Sequence, residues 1–431
     1  MNVPRPHARE DRRRRLPPRR LPILYFGFAH LCLGLTFAAA ALDPAGLAGF
    51  FYHPRLISAV HFVTLGWVSA SILGALHLVG PMALRAPMPA RRIDGWVFAG
   101  FALGSTGVAS HFFISEFSGV GWSGLLVTAA FVQVGFKTLR ALRQARIPPE
   151  VALHFRLAFG NALLAAVAGV LLGFNKHAAF LPGRAMTHAF AHAHLATLGW
   201  GLMMVFAAGY RLLPMLLPAA MPSGAGVWAS AVLLEAGVLA VFASLLVPGP
   251  WLGPAAVVAA LGIAAFFSQL GWMLRHRKPP PKARPAPDIG VLQVLQALLY
   301  LALATVLGVV LAFSPTSEES LRLVWVYGVA GLLGFLSQMV VGVSHRLLPL
   351  YAWLVSFGAS GWSEIPPTPH ETPDRRLQGL TFLLWTAGVP VLASGFYLDR
   401  PGIVSLGGWL LLAAVVAGGA SHAVVLRRLS R

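Results

Sequence analysis

The chain has 431 residues, of which 57% are hydrophobic and only 11% are charged. Apolar runs of about 20 residues recur along most of this length, which excludes a soluble globular protein and predicts an all-α integral membrane protein. The formal net charge is +19, from 33 Lys and Arg against 14 Asp and Glu.

The first 21 residues form a strongly basic tail. They include the run RPHAREDRRRRLPPRR, and no small-residue cleavage site is followed by a mature domain, which indicates a cytoplasmic tail rather than a cleaved signal. Residues 22–431 are predicted to form a single transmembrane domain. Its twelve predicted spans are residues 22–42, 56–82, 95–115, 118–140, 151–173, 188–217, 225–247, 251–275, 289–313, 321–350, 377–397 and 402–426.

The basic residues divide unequally between the two sides of these spans. If the N-terminus is cytoplasmic, all but five of the 33 Lys and Arg residues fall on the cytoplasmic side, counting span ends. This is the positive-inside pattern, so we expect both termini in the cytoplasm and lipid head groups beside the basic loops. No nucleic-acid partner is expected. The five exceptions are Arg55, Lys176, Arg184, Arg322 and Arg400.

Three segments align with one another without a gap. They begin at His61, His194 and Val329, at offsets of 133 and 135 residues, and belong to the second, sixth and tenth spans. The chain is therefore predicted to contain three pseudo-equivalent four-helix groups. These units cover about residues 22–150, 151–285 and 286–431. The shared positions include Leu65, Leu198 and Leu333; Gly66, Gly199 and Gly334; Trp67, Trp200 and Phe335; Gly74, Ala207 and Gly342; and Pro81, Pro214 and Pro349.

Five histidines are predicted to lie in one layer near the outer ends of their spans. Ionisable side chains at membrane depth indicate function, and imidazole is a common ligand for metals and haem iron. His61 and His194 occupy equivalent repeat positions, each followed by Thr-Leu-Gly-Trp, so we expect them to share a ligand role. The layer consists of His61, His111, His188, His192 and His194.

His192 lies about 200° around the helix from His194, so the two are not expected to reach one ion. His188 and His192 are four residues apart and share a face, where they could make a separate contact. His188 is also a candidate metal ligand.

A second group lies roughly 24 Å further along the spans. It consists of His77, Tyr210 and His345, each four residues before a repeat proline. We expect these side chains to bond backbone groups freed by the prolines, with a proton path as the alternative. His30 is expected to stand alone partway through the first span.

The predicted twelve helices in three groups, with His61, His194 and the repeated Thr-Leu-Gly-Trp, resemble subunit I of the haem-copper oxidases. The likeness is to the cbb-type branch and its small relatives, including the NnrS proteins. The resemblance implies a bacterial inner-membrane location, His61 as a low-spin haem ligand, and His194 or His192 as the metal ligand of the sixth span. It also implies an electron-donor cytochrome or partner subunits.

The chain departs from this family's ligand set. Val329 stands at the repeat position in the tenth span, and the seventh span has Glu235 but no histidine. We therefore expect a relative that binds fewer cofactors. Haem would be non-covalent and of b type, because Cys32 is the only cysteine and the sequence has no Cys-x-x-Cys-His segment. Copper is a further candidate cofactor.

The leading hypothesis is a haem-binding protein of electron transfer or of nitric oxide or oxygen response, with His61 and His194 as ligands and His111 or His192 as alternates. Trp67 and Trp200 are candidates to wall a macrocycle, although helix core is the favoured interpretation. An oxidoreductase of the cytochrome oxidase type, either a terminal oxidase or a nitric-oxide reductase, is one alternative. A transporter of metal or small solute is another, with a cavity lined by Asn161, Gln133, Gln269 and Gln338.

Overall fold

A computed structural model describes residues 17–247, 249–279, 286–359 and 368–427. Most of the basic tail and the boundary predicted between the second and third units, at 285/286, involve residues outside these ranges. The long helices are labelled α1 to α12 in chain order. They are Leu21–Leu42, Pro54–Met82, Arg92–Phe113, Val120–Leu142, Pro149–Ala178, Ala185–Leu216, Ala225–Leu246, Leu252–Arg275, Ile289–Phe313, Glu318–Ser356, Arg375–Tyr397 and Pro401–Arg427.

Eleven of the described helices are long and apolar enough to cross a membrane, so the chain is a multi-pass helical membrane protein. The exception is α3, which overlaps the third predicted span, 95–115, but whose 22 residues include Arg92, Asp94 and His111 among several Gly and Ser. Large apolar side chains such as Leu31, Phe136 and Leu299 are exposed on the outer surface of the bundle, where lipid would cover them.

The helices pack in chain order and α12 returns to α1. Ser405 of α12 donates from Oγ to the Ala41 carbonyl at 2.7 Å, and the Tyr351 hydroxyl of α10 donates to the Arg19 carbonyl at 2.5 Å. The start of α1 therefore lies at the same end of the bundle as the end of α10. We call this end, which also carries the end of α12, the basic face, and the other end the opposite face.

Helices α2, α6 and α10 each change from α-helix to π-helix for eight residues. The π-segments are Phe62–Ser69, Leu195–Leu202 and Ala330–Ser337, which start directly after His61, His194 and Val329. Their spacing therefore repeats the offsets of the sequence alignment, and the three segments contact one another in the middle of the bundle. Because long π-helix is rare and concentrates at functional sites, its recurrence marks this region of the molecule.

Repeat glycines let the π-segments approach other helices closely. A Cβ on Gly66 would lie 2.5 Å from Cys32 Cβ of α1, and one on Gly334 would lie 2.5 Å from Tyr300 Cγ of α9. Gly199 would meet Asn161 of α5 at 2.8 Å. These contacts confirm the close approach expected where small residues recur in membrane helices.

Gly334→Ala is expected to destabilise the protein by about 1–3 kcal/mol, because the added methyl would overlap the Tyr300 ring. Gly331 lies in the same π-segment with open space where a Cβ would stand, so Gly331→Ala is the matched control and should change stability little. Thermal unfolding in detergent compares the two variants. Equal melting temperatures for both variants would contradict the packing described.

A cavity of about 100 Å³ lies between α2, α6 and α10, on the basic-face side of the π-segments. Its lining includes the repeat-equivalent triplet Ala75, Ala208 and Val343, and it is almost entirely apolar. None of Asn161, Gln133, Gln269 and Gln338, the polar lining expected for a transporter, is part of it.

Candidate functional site

His61 and His194 adopt the same side-chain arrangement in α2 and α6. His61 Nδ1 donates to the Ile57 carbonyl and His194 Nδ1 to the Phe190 carbonyl, each four residues earlier and each at 2.8 Å. Within the described part of the chain, neither Nε2 makes a hydrogen bond, and both residues are only half-buried. A neutral imidazole fixed through Nδ1–H presents its Nε2 lone pair, which is the form that ligates metals.

The fixed Nδ1 bond is not by itself a ligand signature. His30, His77, His154 and the exposed His276 also donate from Nδ1 to the carbonyl four residues earlier. His61 and His194 differ from these histidines in their position. Each stands immediately before a π-segment, at an equivalent repeat position.

The outer histidines have different neighbours. His61 stacks on Phe112 at a centroid distance of 5.4 Å, and His194 stacks on Tyr327 at 6.0 Å. His192 lies within electrostatic range of His61. Its Nδ1 is buried and has no hydrogen-bond partner among the residues that the structure describes. Among the described residues, no ring contact joins His61 to His194.

The other two histidines of the predicted outer layer lie at helix ends. His111 Nδ1 donates to the Glu116 carbonyl at 2.9 Å, and its ring packs against Gly119 in the turn that follows α3. His188 lies near the start of α6, where a Cβ on Gly183 would be 3.2 Å from its Cε1. His111 therefore holds the turn that follows α3, whereas His188 lies beside Gly183, just before α6 begins.

The two repeat tryptophans are buried in the bundle. Trp200 donates from Nε1 to Ser69 Oγ at 3.0 Å, and its ring packs against Phe131 and Phe159. Trp67 is 1% exposed, and its Nε1 has no hydrogen-bond partner in the part of the chain that the structure describes. Both rings are therefore part of the packed core, as the favoured interpretation of the sequence expected.

Within the described ranges, no three His, Cys, Asp or Glu side chains are grouped so that they could hold a metal ion. His61, His194 and His188 therefore do not form a three-ligand metal site in this structure. Glu235, the substitute ligand considered for the seventh span, accepts a hydrogen bond from Asn161 Nδ2 at 2.7 Å. Asn161 also donates to the carbonyl of Gly199 at 3.3 Å, which links this carboxylate to the second π-segment.

His77, Tyr210 and His345 do not make the expected hydrogen bonds to backbone groups freed by the repeat prolines. His77 Nδ1 donates to the Leu73 carbonyl, and the Tyr210 hydroxyl pairs with Ser230 Oγ at 2.7 Å. Neither ring nitrogen of His345 has a hydrogen-bond partner within the described ranges. One carbonyl freed by a proline is bonded by another side chain, since Gln378 donates to the carbonyl of His345 at 3.4 Å.

His30, expected to stand alone, belongs instead to a group that we call the inner histidine cluster, formed by His30, His345 and His422. His422 Nδ1 lies 3.2 Å from His30 Nε2, and the His345 ring lies 5.5 Å from the His422 ring. The sequence places these residues on α1, α10 and α12, but it does not predict that α12 packs against α1. The only available signal was their shared depth on the basic-face side.

The fold and these sites define a multi-pass helical membrane protein whose interior carries two groups of histidines. No known family model matches the chain. No curated protein is significantly similar to it in sequence.

Proposed function

We propose that this protein binds haem in the bacterial inner membrane and acts in electron transfer or in the binding of a diatomic gas such as nitric oxide or oxygen. The observation that carries the proposal is that His61 and His194, each with Nδ1 fixed to the backbone, stand directly before π-segments at equivalent repeat positions. The recurrence of π-helix directly after both histidines supports a common role.

The donor set fits non-covalent haem. Neutral imidazoles are the ordinary axial ligands of b-type haem, and the sole cysteine, Cys32, is buried against Gly66. The central apolar cavity of about 100 Å³ is smaller than ordinary cofactor pockets of roughly 300–1,000 Å³, so the proposed site is at the outer histidines instead. The proposal for copper rests on the resemblance alone.

In this proposal His61 and His194 hold the cofactor, and His192, which lies near His61, is the alternate ligand. Bound haem would supply an iron that exchanges an electron or binds a gas. The Ile57 and Phe190 carbonyls fix the orientation of the two rings, and Phe112 and Tyr327 pack on them and limit the access of water.

The proposed architecture has all twelve helices crossing the membrane in three pseudo-equivalent groups, with the basic face in the cytoplasm. It is supported by the three π-segments at repeat offsets and by the repeat-equivalent residues around the central cavity. A donor cytochrome or partner subunit would deliver electrons from the opposite face, where the outer histidines lie.

Haem binding is tested by expressing the protein with haem supplied and recording reduced-minus-oxidised spectra with haem extraction. We expect a Soret band and a b-type haem released without covalent attachment. Purified folded protein without a Soret band would overturn the proposal.

A further inference from the structure

We propose that Glu235 is a proton-binding site in the middle of the membrane. Its side chain holds a proton at neutral pH, as a carboxylic acid, and this acid is accessible from the lipid at the edge of the bundle. The inference does not rest on haem, because it concerns a carboxyl group of α7 and uses none of the proposed ligands of iron.

Glu235 differs from the other acidic residues in its position along a helix. It lies halfway along the 22 residues of α7, so each end of the helix is roughly 15 Å away. Every other Asp and Glu of the described ranges lies at a helix end or within a few residues of one. An ionisable side chain at the centre of a membrane helix is rare and indicates a functional role.

Asn161 of α5 is the only hydrogen-bond partner of Glu235 in the described part of the chain. Its Nδ2 donates to Glu235 Oε2 at 2.7 Å and to the carbonyl of Gly199 at 3.3 Å. Because the carbonyl of Gly199 can only accept, the amide must present its nitrogen here, and Glu235 accepts the hydrogen bond. No Lys, Arg or His side chain of the described ranges forms an ion pair with this carboxyl group.

Two other buried acids have the cation that Glu235 lacks. Asp94 pairs with Lys137 at 2.7 Å, and Asp288 pairs with Arg346 at 2.6 Å. A carboxyl group away from water is stable as the anion when it faces a cation or accepts several N–H bonds, and otherwise it takes up a proton. Glu235 has a single neutral donor, so its surroundings favour the neutral acid.

The helices that pack against α7 carry no charge at this depth. They are α5, α6 and α8. The nearest titratable side chains on α5 and α6 are Arg156, five residues before Asn161, and His194, five residues before Gly199. Each lies about 7.5 Å away along its helix, Arg156 toward the basic face and His194 toward the opposite face. Helix α8 has no Asp, Glu, Lys, Arg or His before its last residue, Arg275.

One side of Glu235 faces the lipid. Trp228, Val232 and Leu239 of the same helix are 41%, 54% and 41% exposed. At about 100° per residue, all three lie within roughly 60° of Glu235 around the helix axis. Val238, on the other side, is buried, and Glu235 itself is half-buried. The carboxyl group therefore stands at the boundary between the packed core and the lipid, where a small apolar reagent can reach it.

Dicyclohexylcarbodiimide tests the inference, because this apolar reagent dissolves in lipid and reacts with carboxylic acids that carry their proton. The proton moves to one nitrogen of the reagent as the carboxyl oxygen bonds to its central carbon. The acyl group then shifts from that oxygen to the other nitrogen, which gives a stable N-acylurea with no atom lost.

The protein is treated in phospholipid vesicles at neutral pH, and its peptides are weighed by mass spectrometry. We expect Glu235 to gain the mass of one reagent molecule. Glu318 and Glu319, exposed acids at the start of α10, should remain unmodified. Glu235 left unmodified, or modified no more than Glu318 and Glu319, would overturn the proposal.

Infrared spectroscopy of Glu235→Gln makes the test independent of access by the reagent. Glutamine keeps an oxygen that accepts from Asn161 and resembles the neutral acid in shape, so the melting temperature should not change. The variant should lose one carboxylic-acid C=O band that the wild type retains in mildly alkaline buffer. Asp94→Asn, at an acid paired with Lys137, is the matched control and should lower the melting temperature without loss of such a band. A Glu235→Gln spectrum that keeps every carboxylic-acid band would contradict the assignment.

Discussion

His61→Ala is expected to weaken haem binding by at least about tenfold, because even changes to groups that only orient a metal ligand cost 10–100-fold in affinity. His194→Ala should have an effect of the same size. In each variant the remaining histidine would hold the iron alone, so the low-spin spectrum of a two-imidazole haem would be replaced by a high-spin one. Absorption titration with haem measures both quantities, and added free imidazole should restore the low-spin spectrum.

The matched control for these variants is His276→Ala. His276 makes the same Nδ1 bond to the carbonyl four residues earlier, but it is exposed at the end of α8. Its loss should leave haem affinity unchanged. His192→Ala tests the alternate ligand. If this variant still binds haem, the ligand pair is His61 and His194. If it loses haem while His194→Ala still binds haem, the pair is His61 and His192. Wild-type spectra in both His61→Ala and His194→Ala would contradict the proposed site.

Lys137→Ala is expected to destabilise the protein by about 3–5 kcal/mol, the usual cost of removing one partner from a buried ion pair. Lys137 Nζ of α4 lies 2.7 Å from Asp94 Oδ2 of α3, and the two side chains are only 15% and 6% exposed. Asp94 Oδ2 also accepts from the Arg91 backbone N–H at 2.6 Å and so holds the start of α3. The variant would leave this carboxylate buried without its cation.

An exposed ion pair provides the comparison. Arg322 and Glu318 of α10 are 2.6 Å apart, but their side chains are 45% and 81% exposed. Arg322→Ala should therefore cost no more than about 1 kcal/mol. Unfolding by denaturant in mixed micelles measures both variants against the wild type. A loss for Lys137→Ala as small as that for Arg322→Ala would show that the buried pair does not stabilise the contact between α3 and α4.

Hydropathy predicted the helices well, because a helix in lipid needs a long apolar run and little else. The repeat alignment also located the region where α2, α6 and α10 become π-helical. The alignment did not predict the π-helix itself, because the change from the α-helical to the π-helical hydrogen-bond pattern depends on packing between helices. The only polar hints are Thr64 and Thr197, whose hydroxyls donate to the carbonyls of Val60 and Ala193.

Helix rotation limited what could be predicted about the sites. Depth can be read from residue number, so His77, Tyr210 and His345 were correctly separated from the outer histidines. The direction in which each ring points cannot be read in that way. In the structure the three rings contact three different residues. The His77 ring contacts Tyr25, the Tyr210 ring contacts His154, and the His345 ring contacts His422.

The most direct test of the central claim is an experimental structure of the protein prepared with haem. We predict a haem iron coordinated by His61 Nε2 and His194 Nε2 at about 2 Å each, the usual length of an imidazole–metal bond. A haem bound elsewhere, or His61 and His194 rings enclosed by packed side chains with no cofactor between them, would contradict the account.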